Sequence, residues 1–240
     1  MPVLPSAAAV PSAAESPVAP RLYFSPRRAL VVGVLLAVTI AVTAWALRDN
    51  FHTVVPGQVY RSAQLGPTAL QDRIRRCGLK AVLNLRGANL GEKWYDEECS
   101  MADQEGIRHY DLATDSEDPP TPADLREMIE VLDRCERPLL IHCQSGIDRT
   151  GVVAAVCVLL GEAGSTARAQ DQFGLLYGAL PWRTSTVRQR AFLRHYEQWL
   201  AENGRGHNPA HFRNWATNVY SGTPDLAQGD AVFQPPANRN

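Results

Sequence analysis

Apolar residues run without a charge from Ala29 to Leu47, nineteen positions bounded by Arg27-Arg28 and Arg48. As a helix at about 1.5 Å per residue this run spans roughly 28 Å, close to a bilayer's hydrocarbon core. It has no polar face, so a buried helix of a soluble domain is disfavoured, and Trp45 near one end suits an interface. The expectation is a single retained transmembrane anchor over 29–47. A cleaved signal peptide is the rival reading, since Ala44-Trp45-Ala46 offers small residues, but its apolar core and its lead are ordinarily shorter.

Beyond residue 50 the pattern becomes that of alternating strands and helices. Val59 and Tyr60 open a strand, Pro67 to Arg76 reads as a helix ending at Gly78, and 81–85 and 107–112 read as further strands. Thr121 stands as an N-cap before Pro122, after which Leu125, Met128, Ile129 and Leu132 recur at helical spacing. Pro138 to Cys143 form the central strand, a helix starts at Arg149, and helices over 170–180 and 187–200 complete the carboxyl-terminal half. This order predicts an α/β fold, a mostly parallel central sheet flanked by helices, in one domain over 48–203. Residues 1–28, rich in Pro, Ala and Ser, are expected to be disordered. In the tail, 204–240, Phe212, Trp215 and Tyr220 are expected to pack back on the domain, and about the last fifteen residues are not.

Charge and cysteine usage narrow the classes. With 24 Lys and Arg against 25 Asp and Glu the formal net charge is −1, so no broad basic surface and no nucleic-acid partner are expected. Five cysteines, an odd number, do not form a disulfide framework. Arg21, Arg27 and Arg28 precede the apolar run, whereas Arg48 is offset by Asp49. The positive-inside rule therefore places the amino terminus in the cytoplasm and the domain on the far side. The instability of a reactive thiolate in an oxidising compartment pulls the other way.

The chemistry concentrates in Ile141-His142-Cys143-Gln144-Ser145-Gly146-Ile147-Asp148-Arg149-Thr150-Gly151. A cysteine at a strand end, then a tight loop, then a helix N-terminus places a thiol where backbone N–H groups and the helix dipole favour negative charge. Only the thiolate is a good nucleophile, and such a site lowers its pKa. Gly146 allows the loop to turn its amides inward. Gln144, Ser145, Gly146 and Ile147 would line the phosphoryl oxygens, and the planar fork of Arg149 would grip two of them. Thr150 would hydrogen-bond the sulfur and help it leave. No Walker A, HExxH or GxSxG pattern occurs. A metal site built from Cys135, His142 and Cys143 lacks a fourth ligand, and no metal or other cofactor is expected.

This run resembles the active-site loop of the cysteine-dependent protein tyrosine and dual-specificity phosphatases. Val59-Tyr60-Arg61-Ser62-Ala63-Gln64 and Leu79-Lys80-Ala81-Val82-Leu83-Asn84-Leu85-Arg86-Gly87 resemble the opening of its small bacterial and fungal dual-specificity members, so the likeness covers about 51–200. It implies hydrolysis of phosphate monoesters through a cysteinyl-phosphate, with Cys143 as nucleophile. It also implies an upstream aspartate as general acid, and 111–120 occupies that place with Asp111, Asp115 and Asp118. Asp148 competes, because lipid-directed relatives resemble its Asp-Arg-Thr setting and use that aspartate. Asp115 and Asp148 stand level, with Asp111 third. His142 precedes the nucleophile as in the family, where it orders the loop. Cys157, Cys77 and Cys135 read as structural, and Cys99 as a conceivable redox partner of Cys143.

The lysine-free loop and the acidic stretch Glu92 to Glu98 lean toward phosphotyrosine proteins as substrates. The likeness to fungal inositol pyrophosphate phosphatases, and Arg86 and Lys93 within possible reach, lean toward a phosphoinositide or inositol (pyro)phosphate. A phosphate-binding pseudophosphatase is disfavoured by intact Cys143, Arg149 and Thr150.

Overall fold

The computed structural model describes residues 25–222, with only the backbone of Pro26 and of residues 45–48. Of the stretch 1–28 expected to be disordered, residues 1–24 lie outside these, as do the last residues of the tail, whereas Pro26 to Arg28 form the first turn of a helix, with proline at a position a first turn accepts. The chain divides into two compact units, Met1–Val42 and Thr43–Asn240. The first carries most of helix α1 (Pro26–Asp49), whose stretch Arg27–Ala44 is long and apolar enough to cross a membrane.

The second unit is an α/β domain. Its strands are β1 (His52–Val55), β2 (Val59–Ser62), β3 (Ala81–Asn84), β4 (Arg108–Asp111) and β5 (Leu139–His142). They form one sheet in the order β1-β2-β5-β3-β4, with β1 antiparallel to β2 and every other pairing parallel. The mostly parallel sheet expected from the alternation is therefore present, and β5 is its central strand. Both faces are covered. Ala81 and Leu83 of β3 and Leu139 and Ile141 of β5 enter one apolar core, while Val82 and Leu140 point into a second on the other face. This period of two on doubly buried strands explains why 81–85 reads as a continuous apolar run.

Helices α2 (Pro67–Cys77), α3 (Lys93–Glu105), α4 (Pro122–Arg134) and α5 (Asp148–Leu160) connect and cover the strands. α2 ends on Gly78 in the left-handed conformation, and α4 opens with a capping box between Thr121 and Asp124. α5 is buried from Thr150 to Leu159, as a helix apolar all round must be.

Strand β1 has no counterpart in the sequence expectation, and three helical stretches depart from it. The charged stretch 93–105 is a helix, because Tyr95, Glu98 and Ala102 form its inward face and a buried carboxylate disguises the apolar period. The helix expected over 170–180 is instead α6 (Thr166–Asp171) followed by a single 3-10 turn, Leu175–Tyr177. Gly174 and Gly178 interrupt it, the latter at φ 80°. The run 187–200 is split at Arg190 into α7 (Thr184–Gln189) and α8 (Ala191–Glu202). Ser185 and Thr186 of α7 bond to Asp148 on α5, whereas α8 turns to bury Phe192, Leu193 and Tyr196. The core continues past residue 203 through α9 (Pro209–Asn214) and the π turn Trp215–Val219, with Phe212, Trp215 and Tyr220 all buried in it.

Candidate active site

β5 delivers Cys143 to the carboxyl end of the sheet, and α5 begins five residues later, so the 143–149 loop lies at the crevice where such sheets bind ligands. Cys143 is only 3% exposed. Burial pushes its thiol up, yet the net displacement is downward. Thr150 through its side chain and backbone, the Arg149 charge and the Gly146 N–H together overcome the desolvation. The Gly146 N–H donates to the sulfur over 3.3 Å. The fully buried Thr150 hydroxyl lacks a hydrogen bond of ordinary geometry but lies close enough to the sulfur to favour its anion. By contrast, burial pushes the other shifted thiols up, Cys135 to about 11, Cys157 to about 12 and Cys99 above its usual range. All five cysteines are free.

The loop is braced from behind by residues that the sequence did not single out. Arg61 on β2 is fully buried, and its guanidinium donates to Gly146 O (2.8 Å), Gln172 O (2.8 Å) and Gln172 Oε1 (3.1 Å). It also lies 4.0 Å over the Tyr177 ring, and burial lowers its pKa to about 10. The Asn50 amide donates to Ser145 O (3.1 Å), Gly146 O (3.2 Å) and Tyr177 O (2.9 Å). Gly146 itself has φ +70°, and a Cβ there would fall 2.6 Å from the Ser62 carbonyl carbon.

His142 rests on a second hidden residue. Its Nε2 lies 3.0 Å from Glu98 Oε1, which also sits 2.9 Å from His109 Nε2, and Gln64 donates to the same carboxylate. Burial alone would push Glu98 up, but the two imidazoles reverse this and hold it at about 2 against an ordinary 4.5. The stability this carboxylate contributes is present above about pH 4.5 and drains away as pH falls toward 2. Glu98→Gln should therefore cost about 2–3 kcal/mol at neutral pH. It should also narrow the difference between urea midpoints at pH 7 and pH 3. An undiminished difference would place the acid sensitivity elsewhere.

The four candidate acids separate. Asp111 is occupied by Asn84 Nδ2 (2.8 Å) and the Tyr95 hydroxyl (2.6 Å). Asp148 accepts from Thr186 Oγ1 (2.9 Å) and Ser185 Oγ (3.2 Å) and has Arg183 at 3.7 Å, so it ties α7 to α5. Asp118 pairs with Arg188. Asp115 lines a small cavity together with Arg149, and its carboxyl is held low by the Asp118 and Glu117 N–H groups, with a smaller contribution from Arg149. Gln189 holds this stretch of loop by bonds to Asp115 O (3.1 Å) and Asp118 O (2.6 Å). Arg149 has no hydrogen bond or ion pair among the described residues, which leaves its fork open.

Of the outer cations, Arg86 lies within electrostatic reach of Arg149 and Cys143. Arg86 stacks 3.6 Å over Trp94, touches Gln64 Oε1 at 3.4 Å, and is held low by burial and by the Arg149 charge. Lys93 is exposed and pairs with Glu97 at 3.7 Å. Cys99 lies 3.8 Å from His109 Nδ1, on the α3 side of the Glu98 cluster. Among the described residues no group of three or more His, Cys, Asp or Glu side chains is arranged to hold a metal ion.

A protein-family model described as the DSP-PTPase phosphatase fused to NAD+ kinase matches residues 52–174. Among solved structures the chain is similar to TpbA of P. aeruginosa, at 20% identity over 61% of this chain and 84% of that one, with TM-score 0.49. It is also similar to the core catalytic domain of the PP-IP phosphatase SIW14 of S. cerevisiae, at 23% identity over 65% and 93% of the two chains, with TM-score 0.48. No curated protein sequence matches it.

Proposed function

Because the chain belongs to the DSP-PTPase family of cysteine-dependent phosphatases, we propose that it hydrolyses phosphate monoesters through a cysteinyl-phosphate, with phosphotyrosine-bearing proteins as the substrate class. One observation carries the chemistry. The buried Cys143 sulfur sits just past the end of β5 with the Gly146 N–H donating to it over 3.3 Å, and Thr150, Arg149 and that N–H lower a thiol that burial alone would raise.

In the first step the Cys143 thiolate attacks phosphorus and the ester P–O bond breaks. Amides of 144–147 and the Arg149 fork hold the three remaining oxygens. Asp115 gives the leaving oxygen its proton. In the second step water attacks the phosphorus, Asp115 takes the water's proton, and the P–S bond breaks with Thr150 steadying the departing thiolate. Asp115 is ionised in the empty site, but a bound phosphate dianion offsets the Arg149 charge that helps hold it low, and so raises its proton affinity. Asp148 serves as a structural link rather than the acid, because both its oxygens already accept hydroxyl protons.

The substrate preference draws on the partly buried loop: Ile147 packs near Gly178, and residues 143–149 contain no lysine. Arg86 supports a second reading, an inositol (pyro)phosphate or phosphoinositide whose second phosphate would meet this guanidinium. Release of phosphate from a phosphotyrosine peptide, compared with an inositol polyphosphate, separates the two. Asp115→Asn is expected to slow alkyl phosphate hydrolysis about 100-fold or more while slowing p-nitrophenyl phosphate far less. The same pattern from Asp148→Asn, with Asp115→Asn silent, would exchange their roles. We also propose that α1 anchors the chain in a membrane, its amino-terminal arginines on the cytoplasmic side.

A further inference from the structure

Outside α1, six large apolar side chains are exposed among the described residues: Leu90, Leu175, Leu176, Leu180, Trp182 and Val219. Four of the six fall within eight consecutive positions, with Leu175 and Leu176 each 65% exposed, Leu180 40% and Trp182 74%. Scattered apolar side chains on a surface need no explanation, but such a concentration does. The segment is not loose. Tyr177 and Ala179 are buried between the exposed positions, and a Cβ at Gly178 would come 3.3 Å from Ile147 Cδ1. The inward residues thus fix the segment to the 143–149 loop and turn three leucines and a tryptophan outward.

The same fastening involves the end of α1. Asn50 follows Asp49, the last residue of that helix, and its one amide serves Ser145 O, Gly146 O and Tyr177 O. Asp49 O accepts the Ala63 N–H over 2.8 Å, next to the strand end that abuts Gly146. Asn50 lies six residues beyond Ala44, the end of the stretch Arg27–Ala44 that is long enough to cross a membrane. Six residues reach about 9 Å as helix and about 20 Å fully extended. Chain length alone therefore keeps Asn50, and with it the Ser145, Gly146 and Tyr177 carbonyls it bonds, within about 20 Å of the point where α1 leaves hydrocarbon. A tryptophan with leucines, followed by the half-exposed Arg183, is the composition that settles at such a boundary.

We propose that Leu175–Trp182 is a membrane-docking surface, which dips into the headgroup boundary of the bilayer crossed by α1 and lays the mouth of the 143–149 loop against it. The proposal rests on the anchor reading of α1 and makes the bilayer, rather than another protein, the occupant of this patch. Besides bracing the loop, Asn50 then links it to the docking segment directly after the last residue of α1.

The test uses the full chain, reconstituted into vesicles whose acyl chains carry bromine, in a Trp45→Phe background that removes the tryptophan of α1. Tryptophan emission is expected to be quenched. Trp182→Phe should abolish the quenched component, and Leu175→Ser with Leu176→Ser should weaken it. Hydrolysis of soluble p-nitrophenyl phosphate should stay level in these variants, because none of the three side chains touches the phosphate site. That assay also reports on the phosphatase reading separately, as quenching can occur in an inactive chain. Quenching unaltered by Trp182→Phe, in vesicles that carry the chain on flotation, overturns the proposal. So does a chain that fails to float, which removes the anchor as well. A detergent-solubilised dimer dispersed by Trp182→Glu, with Trp182 unquenched in vesicles, would assign the patch to a second copy instead.

Discussion

Serine in place of Cys143 is expected to abolish turnover, by about four orders of magnitude or more, while phosphate binding persists. The expectation follows from how the site treats charge. Burial to 3% exposure opposes any anion at this position, and the loop overcomes it with the Thr150 hydroxyl, the Arg149 charge and the Gly146 N–H. A serine hydroxyl meets the same donors but ionises far less readily than a thiol, so the nucleophile is lost and the cradle is kept. The amides of 144–147 and the open Arg149 fork depend on neither atom. Calorimetric titration with inorganic phosphate should give a dissociation constant within a few-fold of the unsubstituted protein, and thermal unfolding should barely move. Mass spectrometry of the unsubstituted protein, quenched in acid during turnover, should find the phosphoryl group on the Cys143 peptide. Turnover by Cys143→Ser above about one per cent of the original would reject covalent catalysis at this sulfur.

The sequence carried the site to the extent that its residues are neighbours in the chain. Strand end, Cys143, Gly146, Arg149 and Thr150 fall within nine positions, and the apolar runs 81–85 and 139–143 announce the doubly covered strands that hold them. What stayed hidden depends on pairings across long separations. Arg61 reads as one polar residue of a strand, and its meaning comes from Gly146 and Gln172, which lie 85 and 111 residues away. Glu98 reads as one more charge in an acidic stretch, although it sits at a core position of α3 and meets His142 across 44 residues. Asp115 and Asp148 could not be ranked from the chain, because what distinguishes them is Ser185 and Thr186, some 37 and 38 positions beyond Asp148. The run 170–180 misleads for the opposite reason. Its apolar residues recur as a helix's would, but here they divide between an inward set that clamps the loop and an outward set left exposed.

Adding a single methyl group at Gly146 should come nearest to Cys143→Ser in damage, through geometry rather than chemistry. Gly146 has φ +70°, a region that costs an L-residue roughly 1–2 kcal/mol. Its Cβ would also meet Ser62 C and O at 2.6 Å and Ala63 N at 2.7 Å, backbone atoms of β2 and its continuation, with no flexible side-chain end to give way. Such overlap in a packed interior costs about 1–3 kcal/mol more. Gly57→Ala separates the two contributions, since Gly57 has φ +69° with nothing within 4 Å of its Cβ and should lose only the backbone part. Relief of the overlap at 146 must come from the loop, because β2 is held by β1 and β5 on either side. Moving the loop displaces the Gly146 N–H from Cys143 Sγ, and the Gly146 carbonyl from Arg61 Nη2 and Asn50 Nδ2. A shift of about 1 Å at such a centre lowers kcat about 100-fold. Gly146→Ala should therefore unfold at lower urea by an amount equivalent to about 3 kcal/mol, and the folded fraction should retain about one per cent of kcat. Equal losses at Gly146 and Gly57 would show that backbone angle alone matters, and the close seating of the loop on β2 would then be without catalytic consequence.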